Sequence, residues 1–184
     1  MPDKAEREKR IALVAYEVAR ARMGQQAGFS ALVDLCAPGL YAHARRLCDD
    51  AETARDIVQD AWVEIARSLG RLRDDRAFLA FALQIVTRMA ARDLRKRQKR
   101  RLADAGFTAE QEAAPPDAQE TALDLDAAIA ALPRDQRITL ALFHLEGLSV
   151  AEVARALDIP PGTVKTRLMK ARSRLRKFLE GDQT

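Results

Sequence analysis

Lys165, Arg167, Lys170, Arg172, Arg174, Arg176 and Lys177 place seven cations in the sixteen residues from Gly162 to Lys177, and no acid occurs between Gly162 and Leu179. A merely solvated helix interleaves acids with bases so that pairs form three or four residues apart. Unpaired like charge repels itself, so an external polyanion is the natural partner. Val164, Leu168, Ala171 and Leu175, then Phe178 or Leu179, recur at helical spacing and predict a face that packs inward. Thr166, Met169, Lys170, Ser173 and Lys177 fall opposite them. An outward Met169 is odd on a solvated helix and suits contact with a thymine methyl group. The chemistry on offer is recognition: backbone phosphates for the cations, base edges for the smaller side chains.

A second stripe reads the same way. Gln84, Arg88, Arg92, Arg95 and Lys99 recur every three or four residues on a helix whose inward face carries Phe78, Phe81, Ala82, Ile85 and Met89. Its only acid is Asp93, and four bases in line suit a phosphate track. A third helix, Glu52 to Leu69, sets Ile57, Val58, Ala61, Trp62, Ile65 and Leu69 against an outer face of Asp56, Gln59, Asp60, Val63, Glu64 and Arg67. On charge alone that outer face is an ordinary solvated one.

Residues for covalent chemistry do not assemble. No nucleophile–base pair, phosphate loop or metal cluster is visible, so no enzyme, metal or cofactor is expected. Cys36 and Cys48 fit no ligand spacing and read as small buried thiols in a reducing compartment, a redox pair being the weaker alternative. His43 and His144 read as core or surface histidines. No apolar run approaches 18 residues, and the first twenty residues lack the pattern of a secretion signal, so a cytoplasmic protein without membrane insertion is expected.

Ala, Leu, Arg and Glu dominate the 184 residues and strand-like alternation is absent, which predicts an all-α fold. Helices are expected near 4–23, 28–36, 39–48, 51–69, 76–98, 122–131, 134–146, 149–157 and 162–179. Net charge is only +4, but it is unevenly spread: Arg95–Arg101 holds six cations in seven positions, and the next twenty residues hold five acids and no base. With Pro115-Pro116, that acidic stretch predicts a linker at 101–121 between a helical domain at 1–100 and another at 122–184. In the second, Ser149 and Glu152 form a capping-box pattern, "DIPPG" makes a tight turn, and the basic helix follows. A short helix, a tight turn and a basic helix make a helix-turn-helix whose second helix enters a major groove. A basic hairpin that binds protein is the alternative on composition alone.

The stretch "LPRDQRITLALFHLEGLSVAEVARALDIPPGTVKTRLMKARSRLRKFL" resembles region 4 of bacterial sigma factors of the extracytoplasmic-function group in the sigma-70 family, and "EVARARMGQQAGFSALVDLCAPGLYAHARRLCDDAETARDIVQDAWVEIARSL" resembles region 2. The "GTVKTRL" core alone also occurs in response-regulator domains; the two regions in order are far more specific. The resemblance implies two small helical domains, a region 2-like bundle and a region 4-like helix-turn-helix. It implies −35 contacts at Lys165, Thr166, Arg167, Met169 and Lys170, and −10 contacts at Gln84, Arg88, Arg92 and Arg95. It implies docking on core RNA polymerase through Asp56, Gln59 and Asp60, promoter DNA as ligand, and an anti-sigma factor as inhibitor. The chain departs from the family at Phe81, where an indole is usual, at Arg88, where Asn is common, and at Arg92, where Asp is frequent. An arginine in place of a compact amide favours phosphate or guanine, which puts the usual −10 preference in doubt. The rival readings are a helix-turn-helix regulator that does not act as a sigma factor, and a sigma mimic that sequesters an anti-sigma factor.

Overall fold

The computed structural model describes residues 4–104 and 128–181, and all regular structure among them is helical. Helices α1 (Lys4–Arg22), α2 (Gln26–Leu47), α3 (Ala51–Ser68) and α4 (Phe78–Asp104) form the first half; single 3₁₀ turns at Leu69–Arg71 and Asp75–Ala77 link α3 to α4. Helices α5 (Arg134–His144), α6 (Val150–Leu157) and α7 (Pro161–Gly181) form the second. The predicted acidic linker lies almost wholly outside the described residues, as does most of the helix expected at 122–131.

Local signals account for most boundaries. Asp50 caps α3: its carboxylate accepts from the Thr53 amide at 2.7 Å and from the Thr53 hydroxyl at 2.8 Å. Those bonds hold the Asp50 carboxyl down at about 2. Ser149 and Glu152 complete the predicted capping box on α6, with Glu152 Oε2 accepting from the Ser149 amide at 2.7 Å. Gly147 turns the chain between α5 and α6 at φ +68°, where a side chain would be strained.

Two boundaries differ from expectation. Helices expected at 28–36 and 39–48 are one helix, α2, which runs through Pro38. Leu32, Cys36, Leu40 and Ala44 are all fully buried at four-residue spacing, and this packing outweighs the one hydrogen bond that proline deletes. Helix α4 also continues past residue 98 to Asp104.

The buried apolar side chains of both halves make one continuous cluster. It runs from Leu32, Ile65, Phe78 and Val86 in the first half to Leu142, Val153, Val164 and Leu168 in the second. Helix α6 packs directly on α4, and α5 on α2. His43 is sealed in this core. Its Nε2 lies 2.9 Å from the Thr87 hydroxyl, which itself donates to the Leu83 carbonyl at 2.9 Å. That hydroxyl has spent its one hydrogen, so His43 must donate from Nε2 and leave Nδ1 as a bare acceptor. Nδ1 has no hydrogen-bond partner among the described residues, and neither does the buried NH1 of Arg46. Burial, aided by the Arg46 charge, pushes His43 down to about 3, so it is neutral at physiological pH.

Cys36 and Cys48 cannot pair with each other. They lie twelve residues apart on α2 and its C-cap, about 18 Å along the helix axis, whereas a disulfide needs its Cα atoms within about 7 Å. Cys36 is fully buried, and burial pushes its thiol up to about 11. Among the described residues no helix is long and apolar enough to cross a membrane.

Candidate nucleic-acid interface

Helix α7 is set by the turn before it. Asp158 ends α6 in the left-handed conformation, and Pro161 takes the first helical position of α7, where a missing amide hydrogen costs nothing. Val164, Leu168 and Ala171 are buried, so the opposite face is fixed outward. Lys165, Thr166, Met169 and Lys170 are exposed, Met169 at 63%. The Thr166 hydroxyl donates back to the Gly162 carbonyl at 3.0 Å, leaving its lone pairs free to accept. Phe178, one of two candidates for the end of the inward stripe, is exposed instead.

The cations of α7 divide into two sets. Arg167 pairs with Asp135 of α5 at 3.1 Å, and Arg172 lies over the Phe143 ring at 5.7 Å. These side chains tie α7 to α5. Lys165 and Lys170 have no carboxylate within ion-pair distance among the described residues. Four of the five expected −35 residues thus share one open face. The fifth, Arg167, is half-buried and engaged within the protein.

On α4, Phe78, Ala82, Ile85, Leu83 and Val86 are buried, and Phe81 and Met89 are partly so. This clamps both flanks of the helix and leaves one ridge free. Arg88, Arg92 and Arg95 stand exposed on that ridge without an acidic partner among the described residues, and Gln84 sits half-buried at its head. The Arg95 side chain folds back to donate to the Ala91 carbonyl at 3.1 Å. Arg97, in the middle of the cationic run, differs: it contacts Asp93 at 2.7 Å and Asp50 at 3.1 Å and also donates to the Thr53 hydroxyl. Sequence spacing cannot reveal the partnership with Asp50, because it spans 47 residues.

Helix α3 buries Ile57, Val58, Ala61 and Ile65, with Trp62 edge-on to Phe29 at 5.8 Å. Asp56, Gln59 and Asp60 are exposed on its far side, beside a half-exposed Val63. The described residues therefore show two cationic ridges whose Arg88, Arg92, Arg95, Lys165 and Lys170 are unpaired, and one acidic ridge. That arrangement can bind two stretches of polyanion and one basic protein surface.

Sequence reasoning missed one group, the residues that join the two halves. Arg7 NH2 of α1 reaches Glu152 Oε2 at 2.9 Å, and Arg10 reaches Glu146 at 3.7 Å. Arg134 of α5 donates to the Arg46 carbonyl of α2 at 3.1 Å. Gly39 lies against Glu146, where an added Cβ would stand 3.0 Å from a carboxylate oxygen. The Pro38-Gly39 pair resembles a turn in sequence, but its glycine serves this close approach.

Residues 32–100 match the family model described as Sigma-70 region 2, and residues 122–175 match that described as Sigma-70, region 4. The chain is 30% identical over 178 residues to the RNA polymerase sigma-H factor of Pseudomonas aeruginosa, covering 89% of this chain and 92% of that protein. It is 34% identical over 145 residues to the ECF RNA polymerase sigma factor SigM of Mycobacterium tuberculosis, covering 76% and 71%. Among solved structures it is similar to the sigma factor RpoE in complex with the anti-sigma factor NepR from Bartonella quintana. The TM-score there is 0.65 at 28% identity, over 83% of this chain and 96% of that one.

Proposed function

The chain belongs to the extracytoplasmic-function group of sigma-70 family factors, and from that premise we propose that it is an alternative sigma factor that binds core RNA polymerase and directs it to a set of promoters. The carrying observation is the pair of exposed cationic ridges, one in each family-matched region, whose Arg88, Arg92, Arg95, Lys165 and Lys170 pair with no carboxylate among the described residues. In this reading residues 1–100 and 122–184 act as two domains joined by the 101–121 linker. Asp56, Gln59 and Asp60 of α3 meet a basic surface on the polymerase. Gln84, Arg88, Arg92 and Arg95 of α4 follow the −10 element, and Lys165, Thr166, Met169 and Lys170 of α7 the −35 element. Arg167 joins them once its pair with Asp135 is exchanged for a phosphate or base. The protein works in the cytoplasm and does no covalent chemistry; it supplies sequence choice while the polymerase makes RNA. An anti-sigma factor that covers these faces is the expected inhibitor, as the partnered sigma factor of Bartonella quintana suggests.

Transcription by core polymerase on genomic fragments tests the reading. Promoter-specific RNA that depends on the added protein is expected. DNA binding that ignores polymerase would instead make the protein a separate regulator, and tight binding to an anti-sigma factor without RNA would make it a mimic.

A further inference from the structure

We propose that Arg97 is a positioning residue for the outer half of the α4 ridge: it makes no DNA contact of its own and holds Arg92 and Arg95 in line by tying α4 to the start of α3. The inference rests on the sigma-factor reading above. The core grips α4 as far as Ala90, the last of its described residues to be buried. Of residues 91–99, only Asp93 and Arg97 are half-buried, and the rest are exposed. Ala90, Asp93 and Arg97 follow one another at helical spacing, so the inward face that is apolar up to Ala90 becomes ionic beyond it. Arg92 and Arg95 thus ride on a stretch that no buried apolar side chain fixes. Its exposed cations, Arg92, Arg95, Lys96 and Lys99, also repel one another.

Arg97 supplies the lateral hold. Its Nε lies 2.7 Å from Asp93 of its own helix, one terminal nitrogen lies 3.1 Å from Asp50, and the other donates to the Thr53 hydroxyl. Asp50 caps α3 and Thr53 lies in its first turn, so the tie lands on the helix that carries Asp56, Gln59 and Asp60. Every nitrogen of the guanidinium is committed to the protein. Two positions beyond Arg95, the side chain also leaves α4 about 200° round the helix from it, away from the ridge. A planar fork is what three partners need. An ammonium on a flexible stem offers the same charge from a single point and cannot span them. Lys at this position would therefore keep the charge and lose the tie.

The test compares the full wild-type chain with Arg97→Lys, Arg97→Gln and Asp50→Asn, the last of which keeps a capping side chain on α3. Hydrogen exchange should show the amides of 91–99 exchanging about tenfold faster in all three variants, with those of 78–90 unchanged. Bound to bacterial core polymerase, each variant should hold a labelled promoter fragment from the transcription test above about fivefold more weakly. The slope of log affinity against log salt should stay as in wild type. In an Arg92→Gln, Arg95→Gln background the loss caused by Arg97→Lys should vanish; in an Arg88→Gln background, on the stretch the core holds, it should persist. Four outcomes overturn the proposal. They are unchanged exchange, wild-type promoter affinity in Arg97→Lys, equal loss in both backgrounds, and a slope flattened by about 0.9 in Arg97→Gln, which would make Arg97 a phosphate contact. Failure of wild type to bind promoter with polymerase sinks the sigma-factor reading and this role with it, whereas the exchange rates judge the tie by themselves.

Discussion

Replacing Arg88, Arg92 and Arg95 together by Gln removes three charges and leaves shorter, uncharged polar side chains on the ridge. All three are exposed on α4 and pair with no carboxylate among the described residues, so thermal stability should hold within about 0.5 kcal/mol. Binding should change in a specific way. Each phosphate neutralised by a cation adds about 0.9 to the slope of log affinity against log salt for duplex DNA. Three lost contacts flatten the slope by about 2.7. Between 50 and 200 mM salt the wild-type holoenzyme should therefore lose about 40-fold more affinity than the variant holoenzyme. The assay is fluorescence anisotropy of a labelled promoter fragment, titrated with each holoenzyme across that range. A parallel pair of slopes would refute the phosphate track on α4. A variant weakened equally at all salt concentrations would show that these arginines read bases or shape instead.

Three further outcomes are expected. His43 is held neutral with a folded value near 3, against about 6.5 in the unfolded chain, so the unfolded state binds more protons as pH falls below 6.5 and stability drops. Between pH 7.5 and 5 wild type should lose about 2 kcal/mol more than His43→Leu, read by urea denaturation. Ser149→Ala removes the side chain that accepts from the Glu152 amide and should cost about 1 kcal/mol, a fall in Tm of about 3 °C by calorimetry. Asp60→Lys reverses an exposed charge on α3 and should slow association with core polymerase about tenfold by stopped-flow, with the helical content unchanged.

What was legible in the sequence was whatever neighbouring residues decide. The capping box at Ser149, the prolines before α7 and the four-and-three spacing of Val164, Leu168 and Ala171 fix the helix-turn-helix locally, and the structure has them as expected. The open ridge of Arg88, Arg92 and Arg95 followed from the same kind of spacing. What failed were questions decided by distant partners. Pro38-Gly39 carries every local mark of a turn, and only the core behind Leu32, Cys36 and Leu40 keeps α2 whole. Arg97 and Arg167 looked as free as their neighbours until Asp50 and Asp135 came within reach through the fold. The contact between Arg7 and Glu152 was out of reach of the sequence for the same reason: the two are 145 positions apart.

Glu152 Oε2 answers to two donors at once, the backbone of its own helix and a side chain from the other end of the protein. Losing the distant donor would leave the local one in place, so the cap of α6 does not depend on the contact with α1. Position 7 can therefore change over generations without unmaking the start of the helix it touches.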